Sequence, residues 1–518
     1  MRLLVLFFSL SLFYRAQAQP LYNSAIYLQK NVLGNMFAFG VASGDPSSNS
    51  VVLWTKLNWK YTSDVQVQWE IAEDTAMQQI VTKGVKFANM ESAFTVKFKV
   101  EDLQPGKTYF YRFLAKDQYS PIGRTKTAPT NGASKLKFAV VSCNNYQHGY
   151  FNAYRLIANR CDIDAVIHLG DYIYEYGVNR TGKKPQIRDH IPEHEILTLV
   201  DYRSRYAQYR LDEDLQEAHR LHPFIAVWDD HEFANNTYKD GAQNHQAAEG
   251  EWEERKKCAR QVYFEWLPIA DNDSLSIIRK LNYGDLAEVF MLDGRVEGRD
   301  KQLEHPNELA QADIDRTMIG KSQADWLVRG LVVSKAKWKV MGNQVMFSEL
   351  DMHKLSKKYA RNLDAWDGYP SERNKLLNDM YTANLKNILV LTGDIHTSFG
   401  LDLVRHPQDK TSYNRKTGKG VIGAEIVTPS VSSSNLDERI PRGLAKLVGK
   451  LVKDKKTNPH MKYNNLVDHG YVLLQLSAKD AVATWVYCKT VKENRADMRK
   501  SKSWITKYDA NHLTKYRP

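Results

Sequence analysis

The sequence predicts an α/β protein, a β-sandwich flanked by helices and preceded by an all-β domain of the immunoglobulin or fibronectin kind. Three observations carry that expectation. Residues 36–130 alternate apolar and polar positions in short runs separated by Gly, Pro, Asp and Asn, the pattern of half-buried antiparallel strands. The stretch "TAPTNGAS" (127–134) then breaks the pattern as a linker. Beyond it come continuous apolar runs with amphipathic stretches such as "NAYRLIANR" between them, as expected of strands buried on both faces of an α/β layer.

The first residues, "MRLLVLFFSLSLFYRAQAQP", place Arg2 before an apolar stretch from Leu3 to Tyr14 and end in Ala16-Gln17-Ala18. That is the plan of a secretory signal peptide cleaved after Ala18. An N-terminal anchor is the alternative, but the stretch is short for a span. No later segment approaches the roughly 20 apolar residues a spanning helix needs. The expected product is exported, periplasmic or extracellular, with no membrane span.

At 518 residues the chain is too long for one ordinary core. The expected division is a signal peptide (1–18), a sandwich domain (36–130), a catalytic domain (135–490) and a basic tail (491–518). In the sandwich domain the runs are "SVVLWTKL", "VQVQWEIA", "AFTVKFKV" and "KTYFYRFLA"; "LQPGKTYFYRF" resembles the tyrosine corner of immunoglobulin-like sandwiches. In the catalytic domain they are "KLKFAVVSC", "DAVIHLGD", "HPFIAVWDD", "WKVMGNQVMF", "NILVLTGD" and "GAEIVTPS".

A formal charge of +12 makes an anionic partner plausible, and no base-reading motif accompanies it, so specific nucleic-acid recognition is not expected. The excess gathers in "KLVGKLVKDKK" (446–456) and the C-terminal stretch, both read as solvated basic surface. Four cysteines, Cys143, Cys161, Cys258 and Cys488, are too few for a disulfide framework. One pair has room to bridge, and at least one thiol is a candidate for chemistry.

Four of the apolar runs end in residues that bind metals: Cys143, Asp171, the pair Asp229 and Asp230, and Asp394. Loops at the carboxyl ends of parallel strands gather into one crevice. A single aspartate there is commonly a cap or turn former. Here, however, Tyr174 follows Asp171, His231, Glu232, Asn235 and Asn236 follow Asp230, and His396 follows Asp394. Together they assemble carboxylates, imidazoles, an amide, a phenol and a thiol. Cys143 as a core thiol and Tyr174 as core packing are the plain alternatives, and Asp229 suits an orienting or structural role.

The ordered set "FGVASGDPSSNSVVLWTKL", "SCNNYQHG", "HLGDYIYEYG", "WDDHEFANN" and "LTGDIHTS" resembles the PhoD-type alkaline phosphatases, a branch of the metallophosphoesterase superfamily, from about residue 36 to residue 490. The resemblance implies a metallophosphoesterase-type β-sandwich with metals at its edge, and phosphate-ester hydrolysis using Fe3+ and Ca2+. It implies that Cys143 stands where the superfamily has its first aspartate and that Asp171 bridges the two ions. Tyr174 and His396 would bind iron, Asp230 would replace the asparagine of Gly-Asn-His, and Asp394 the first histidine of Gly-His-x-His. The chemistry of these donors agrees: thiolate and tyrosinate suit a ferric ion, while aspartates enrich the second position in hard oxygen and favour calcium over zinc. Asn235 or Asn236 would add an amide oxygen there, with Asn236 favoured.

Two adjacent cations lower the pKa of a bound water and clamp phosphate oxygens during in-line displacement. The catalytic residues expected are Asp171, which holds both ions, and His231, which stabilises the pentavalent charge or protonates the leaving alkoxide. Arg203, Arg205 or Arg210 would add positive charge toward the phosphate, and the loop 179–195 would influence substrate choice. The substrate is a phosphate monoester or diester and the enzyme is expected to be a monomer. The alternatives are a phosphodiesterase acting on teichoic-acid-like polymers or phospholipids, and a non-catalytic polyanion-binding protein.

Overall fold

The structure, a computed structural model, describes residues 34–179, 186–305, 308, 315–356 and 360–516. The expected signal peptide lies outside the described residues.

The N-terminal strands are β1 (Val41–Gly44), β2 (Val51–Lys56), β3 (Val65–Ala72), β4 (Ile80–Ala88), β5 (Thr95–Val100), β6 (Thr108–Ala115), β7 (Gln118–Tyr119) and β8 (Gly123–Lys126). Strands β4-β3-β6-β7, with β8 beside β6, form one sheet. Its inward residues Val65, Val67, Ile71, Tyr111 and Phe113 meet Val41, Val51 and Leu53 of β1 and β2. The Tyr109 hydroxyl accepts a hydrogen bond from the Gln104 backbone N–H, 2.9 Å away, closing the turn before β6 as a tyrosine corner does.

The following strands are β9 (Lys135–Val141), β10 (Ala165–His168), β11 (Pro223–Ala226), β12 (Arg279–Tyr283), β13 (Ala287–Met291), β14 (Trp338–Asn343), β15 (Ile388–Thr392), β16 (Ser398–Val404), β17 (Val421–Val427), β18 (Met461–Asn465), β19 (Gly470–Ser477), β20 (Asp480–Tyr487), β21 (Lys502–Lys507) and β22 (Thr514–Lys515). They build two sheets. The first is ten-stranded, in the order β22-β21-β20-β19-β9-β10-β11-β1-β2-β5; the second is β12-β13-β14-β15-β17-β16-β18. The first sheet runs straight from the N-terminal strands into the central ones, because β1 pairs in parallel with β11. Gly44 permits this join: a Cβ there would come within 2.2 Å of the Pro268 carbonyl oxygen. At the other end, the segment expected as a basic tail supplies β21, paired with β20 along the sheet edge.

The two sheets face each other. Trp338, Val340, Leu389, Leu391, Ala424 and Ile426 of the second sheet pack with Phe138, Val140, Leu474 and Trp485 of the first. Their sequence neighbours Met341, Ile388, Val390, Ile422 and Val427 point the other way. There they meet helices α5 (Gly320–Val333) and α6 (Pro370–Thr382) through Leu327, Leu331, Leu376 and Met380. The period-two alternation of strands thus divides each run between two apolar layers, so the runs read as continuously hydrophobic. Helices α1 (Asn152–Ala158), α2 (Leu199–Arg210), α3 (Glu213–Leu221) and α4 (Trp252–Trp266) pack on the first sheet. A last helix, α7 (Arg442–Val452), follows β17. The class is the α/β sandwich with an all-β start that the sequence predicts. No helix among the described residues is long and apolar enough to cross a membrane. The four cysteines are unbridged, so the spare pairing is not used.

Candidate metal centre

Strands β9, β10 and β11 are mutually parallel in one sheet, and β13, β14, β15 and β17 in the other. Both sets end at one edge of the sandwich, which is where the predicted donors meet. Among the described residues three groups form, each with ligand atoms within 4.8 Å of one another: Cys143, Asp171 and His396; Asp171, Asp230 and His231; and Asp229, Asp230 and Asp394. Asp171 belongs to the first two and Asp230 to the last two, so the groups are contiguous.

The backbone at these strand ends is unusual. Cys143, Asp171, Asn236, Asp394 and His396 all adopt left-handed conformations, with φ between 53° and 62°. A non-glycine residue there costs on the order of 1 kcal/mol, and the chain makes this reversal at five of the seven predicted ligand positions. Backbone hydrogen bonds hold it at Cys143 and Asp171: Cys143 N–H to Gly170 O, Asn144 N–H to Asp171 O, and the N–H groups of Ser432 and Ser433 to Cys143 O. Beneath them the Glu232 carboxylate accepts from the backbone N–H groups of Asp171, Tyr172 and Asp229, pinning two strand ends with one side chain.

Tyr174 donates to Asp171 Oδ2 at 2.9 Å and stands 3.3 Å from His396 Nε2. His396 Nδ1 lies 3.1 Å from the Ser434 carbonyl, which fixes its proton on Nδ1 and leaves the Nε2 lone pair toward the site. Burial pushes the His396 pKa down to about 3, so this imidazole is neutral. Burial first, then the charge of Asp171, push the Cys143 thiol and the Tyr174 phenol well above their usual ranges. Both are neutral in the protein alone and become anionic donors only against a cation.

The second half is an acidic cluster around one guanidinium. Arg295, fully buried in the turn after β13, bonds through Nε to Asp229 and through Nη1 to both oxygens of Asp364 at 2.9 Å, and its Nη2 lies 3.3 Å from Asp394. Burial drives Asp229 up to about 8 and Asp394 up to about 7 even with Arg295 beside them. Asp230 is also buried, but the His231 and Arg295 charges outweigh that and hold it below the usual carboxylate range. One guanidinium does not neutralise this much buried acid. Oxygens Asp171 Oδ1, Asp229 Oδ2 and Asp230 Oδ1 are buried and take no hydrogen bond from the described residues. Buried carboxylate oxygens without partners are costly, and cations answer that cost. The residues fit hard metal ions.

His231 lies against the Tyr174 ring, centroids 4.2 Å apart. Its Nδ1 is 2.6 Å from Glu175 Oε2, and Glu175 Oε1 takes the Asn235 N–H at 2.7 Å. Glu175 therefore fixes the imidazole with Nε2 toward the cluster and favours its protonated form. Replacing it by Gln keeps the shape and weakens that hold. We expect Glu175→Gln to lower kcat about 10- to 100-fold, with KM and metal content little changed, as steady-state kinetics and elemental analysis would show.

The structure brings together Cys143, Asp171, Tyr174, Asp230, His231, Asp394 and His396. Asn236 is joined to Asp230, its N–H donating to Asp230 Oδ2 at 2.6 Å, and its amide donates to Gln243. Arg203, Arg205 and Arg210 correct the sequence reading, since none serves the site. Arg203 pairs with Glu265. Arg205 is buried and donates to the carbonyls of Tyr174, Tyr176, Ile191, Pro192 and His194, tying down the loop after Asp171. Arg210 is buried over the Trp54 ring and donates to Phe39 O. A charge row on α2 looks like a solvated face, yet backbone carbonyls of irregular loops need donors and take two of its members. Sequence reasoning missed Glu175, Arg295 and Asp364. Glu175 had a signal, a second carboxylate after Asp171 inside "DYIYEYG", and so did Arg295, at the end of the apolar run "AEVFMLDGR".

A family model for the PhoD-like phosphatase matches residues 138–485, and one for the PhoD-like phosphatase N-terminal domain matches residues 23–129. The chain is 36% identical to "Alkaline phosphatase D" of Bacillus subtilis (strain 168) over 501 residues, 92% of this chain and 82% of that protein. Among solved structures, "Structure of PhoD" aligns with a TM-score of 0.82 at 34% identity, covering 93% of this chain and 92% of that one.

Proposed function

We propose, from the premise that the chain belongs to the PhoD-like phosphatase family and is a phosphate-ester hydrolase of the alkaline phosphatase type, that it works through a ferric ion and a calcium ion sharing Asp171. Iron would be held by Cys143, Asp171, Tyr174 and His396, and calcium by Asp171, Asp230, Asn236 and Asp394. The observation that carries this assignment is the division of donors: thiol, phenol and neutral imidazole lie on one side of Asp171, and carboxylates with unpartnered oxygens on the other. When bound, the two cations make water nucleophilic near neutral pH and neutralise the phosphate oxygens.

The chain's own groups do the rest. Glu175 orients His231, whose Nε2 delivers a proton to the leaving oxygen. Asp229, engaged by Arg295, keeps the acidic half in register. The site opens on the side of Asp394 and His396, which are partly exposed, and the ester would enter there. Residues 1–18 would direct export, placing the site where calcium is abundant, and the segment 179–195, of which 180–185 lie outside the described residues, would tune substrate choice. A phosphodiesterase is the second reading. The non-catalytic polyanion-binding alternative has no observation in its favour, since every donor type is present.

The test is hydrolysis of a soluble monoester and a soluble diester before and after chelation. Activity should vanish on metal removal and return with Fe3+ plus Ca2+ but not with Zn2+ alone, and the ratio of the two rates would choose between monoesterase and diesterase. Turnover that survives in rigorously metal-free protein would rule the proposal out.

A further inference from the structure

Helix α7, "RGLAKLVGKLV", packs its small and β-branched residues inward and leaves its leucines outward. It buries Ala445, Gly449 and Val452, while Leu444, Leu447 and Leu451 are 48%, 51% and 42% exposed. Residues three and four apart share a helix face, so the three leucines form one row. Lys446 and Lys450, four apart, form a second row, also exposed. At about 3.6 residues per turn the solvent side of α7 is therefore a leucine row beside a lysine row.

The helix is firmly built into the protein. Arg442 bonds Asp437 at 2.6 Å and also Asp468; Asn464 Nδ2 donates to Gly449 O at 2.6 Å and Asn458 Nδ2 to Val452 O at 2.8 Å. The small residues Ala445 and Gly449 let its backbone lie close to the body, so the leucines project outward. Lys455 and Lys456 follow it, exposed, within a chain of formal charge +12. Its approach joins the metal centre: Ser433 Oγ is 2.6 Å from the Tyr174 hydroxyl and the Ser434 carbonyl receives His396 Nδ1, only a few residues before α7.

We propose that α7 docks the enzyme on an anionic lipid bilayer, the leucine row entering the headgroup boundary and the lysines meeting lipid phosphates. An apolar row set against a cationic row is the arrangement that interfacial helices use, and basic side chains next to anionic headgroups add to the apolar term. A soluble polyanion would engage the lysines and leave the leucines in water, and a second copy of the chain would cover the leucines while offering the lysines no anion. An anionic lipid surface satisfies both rows.

The experiment is vesicle flotation of the full-length mature protein. The wild type is expected to float with vesicles of phosphatidylcholine mixed with phosphatidylglycerol and not with phosphatidylcholine alone. The variant Leu444→Gln/Leu447→Gln/Leu451→Gln should lose about tenfold or more in partitioning, as should Lys446→Gln/Lys450→Gln. Both should hydrolyse a soluble monoester as the wild type does, since none of these residues touches the metal centre; this separates a failure of docking from a failure of the proposed activity. Equal flotation of the leucine variant, flotation with phosphatidylcholine alone, or no flotation of the wild type would overturn the proposal. So would sedimentation showing that the leucines hold a dimer.

Discussion

Replacing Asp171 by Asn is expected to abolish hydrolysis, by about 1,000-fold or more, while leaving the metal-free protein as stable as the wild type or more so. The catalytic half of the expectation rests on position. Asp171 is the residue common to the group with Cys143 and His396 and the group with Asp230 and His231. One of its oxygens takes the Tyr174 hydroxyl and the other has no hydrogen-bond partner. An amide offers one oxygen and no charge, so it cannot serve both sides. Ions at such a site supply several kcal/mol to the transition state, and each 1.4 kcal/mol is a factor of ten in rate. The stability half rests on burial: Asp171 is buried beside Asp229, Asp230 and Glu232, and burial raises its pKa well above the usual carboxylate range. Asn relieves that repulsion, keeps the size and tolerates the left-handed backbone at φ 58°. Kinetics, iron and calcium analysis and thermal unfolding in chelator check the three parts. A variant that unfolds more easily without metal yet retains both ions and activity would show Asp171 to be a structural residue.

The candidate ligands were legible in the sequence because the ends of the buried strands meet at one edge of this architecture. Continuous apolar runs mark strands buried on both faces, such strands are parallel, and parallel strands deliver their following residues to one edge. Cys143, Asp171, Asp230 and Asp394 are therefore readable one by one. The supporting residues are less so. Glu232 sits inside a quoted motif, but its work, accepting three backbone N–H groups from two strand ends, exists only once β10 and β11 lie side by side. Asp364 comes from a connection before α6 and reaches Arg295 purely through tertiary structure. The N-terminal region shows the same limit. Alternation in β3 and β6 indicates a sandwich, but nothing in the pattern says that β1 will pair with β11 180 residues later, joining Ser43 to Pro223 and Gly44 to Phe224. Pairing partners are set by the packing of whole layers, which local periodicity does not encode.

Arg295→Gln is expected to destabilise the metal-free protein by about 3 kcal/mol, with a smaller deficit when calcium is present. Arg295 is the counter-ion of four aspartates, bonding or approaching Asp229, Asp230, Asp364 and Asp394 from a fully buried position. Truncating one partner of a buried network leaves the other charges desolvated and uncompensated, which is the costly way to break it. Lys would not replace it, because a single ammonium cannot bond Asp229 on one edge and Asp364 on the other as the planar guanidinium does. Calcium held by Asp230 and Asp394 would supply the missing charge from the other side of the same carboxylates, and a ligand that binds only the folded state adds to stability by mass action. The variant should therefore gain more from calcium than the wild type, read as the shift in denaturation midpoint with and without chelator. If instead Arg295 does no more than fill space, the uncharged, unbranched Arg295→Met would be close to neutral and calcium would stabilise both proteins equally. The sign of that calcium difference decides whether the guanidinium and the metal neutralise the same acidic cluster.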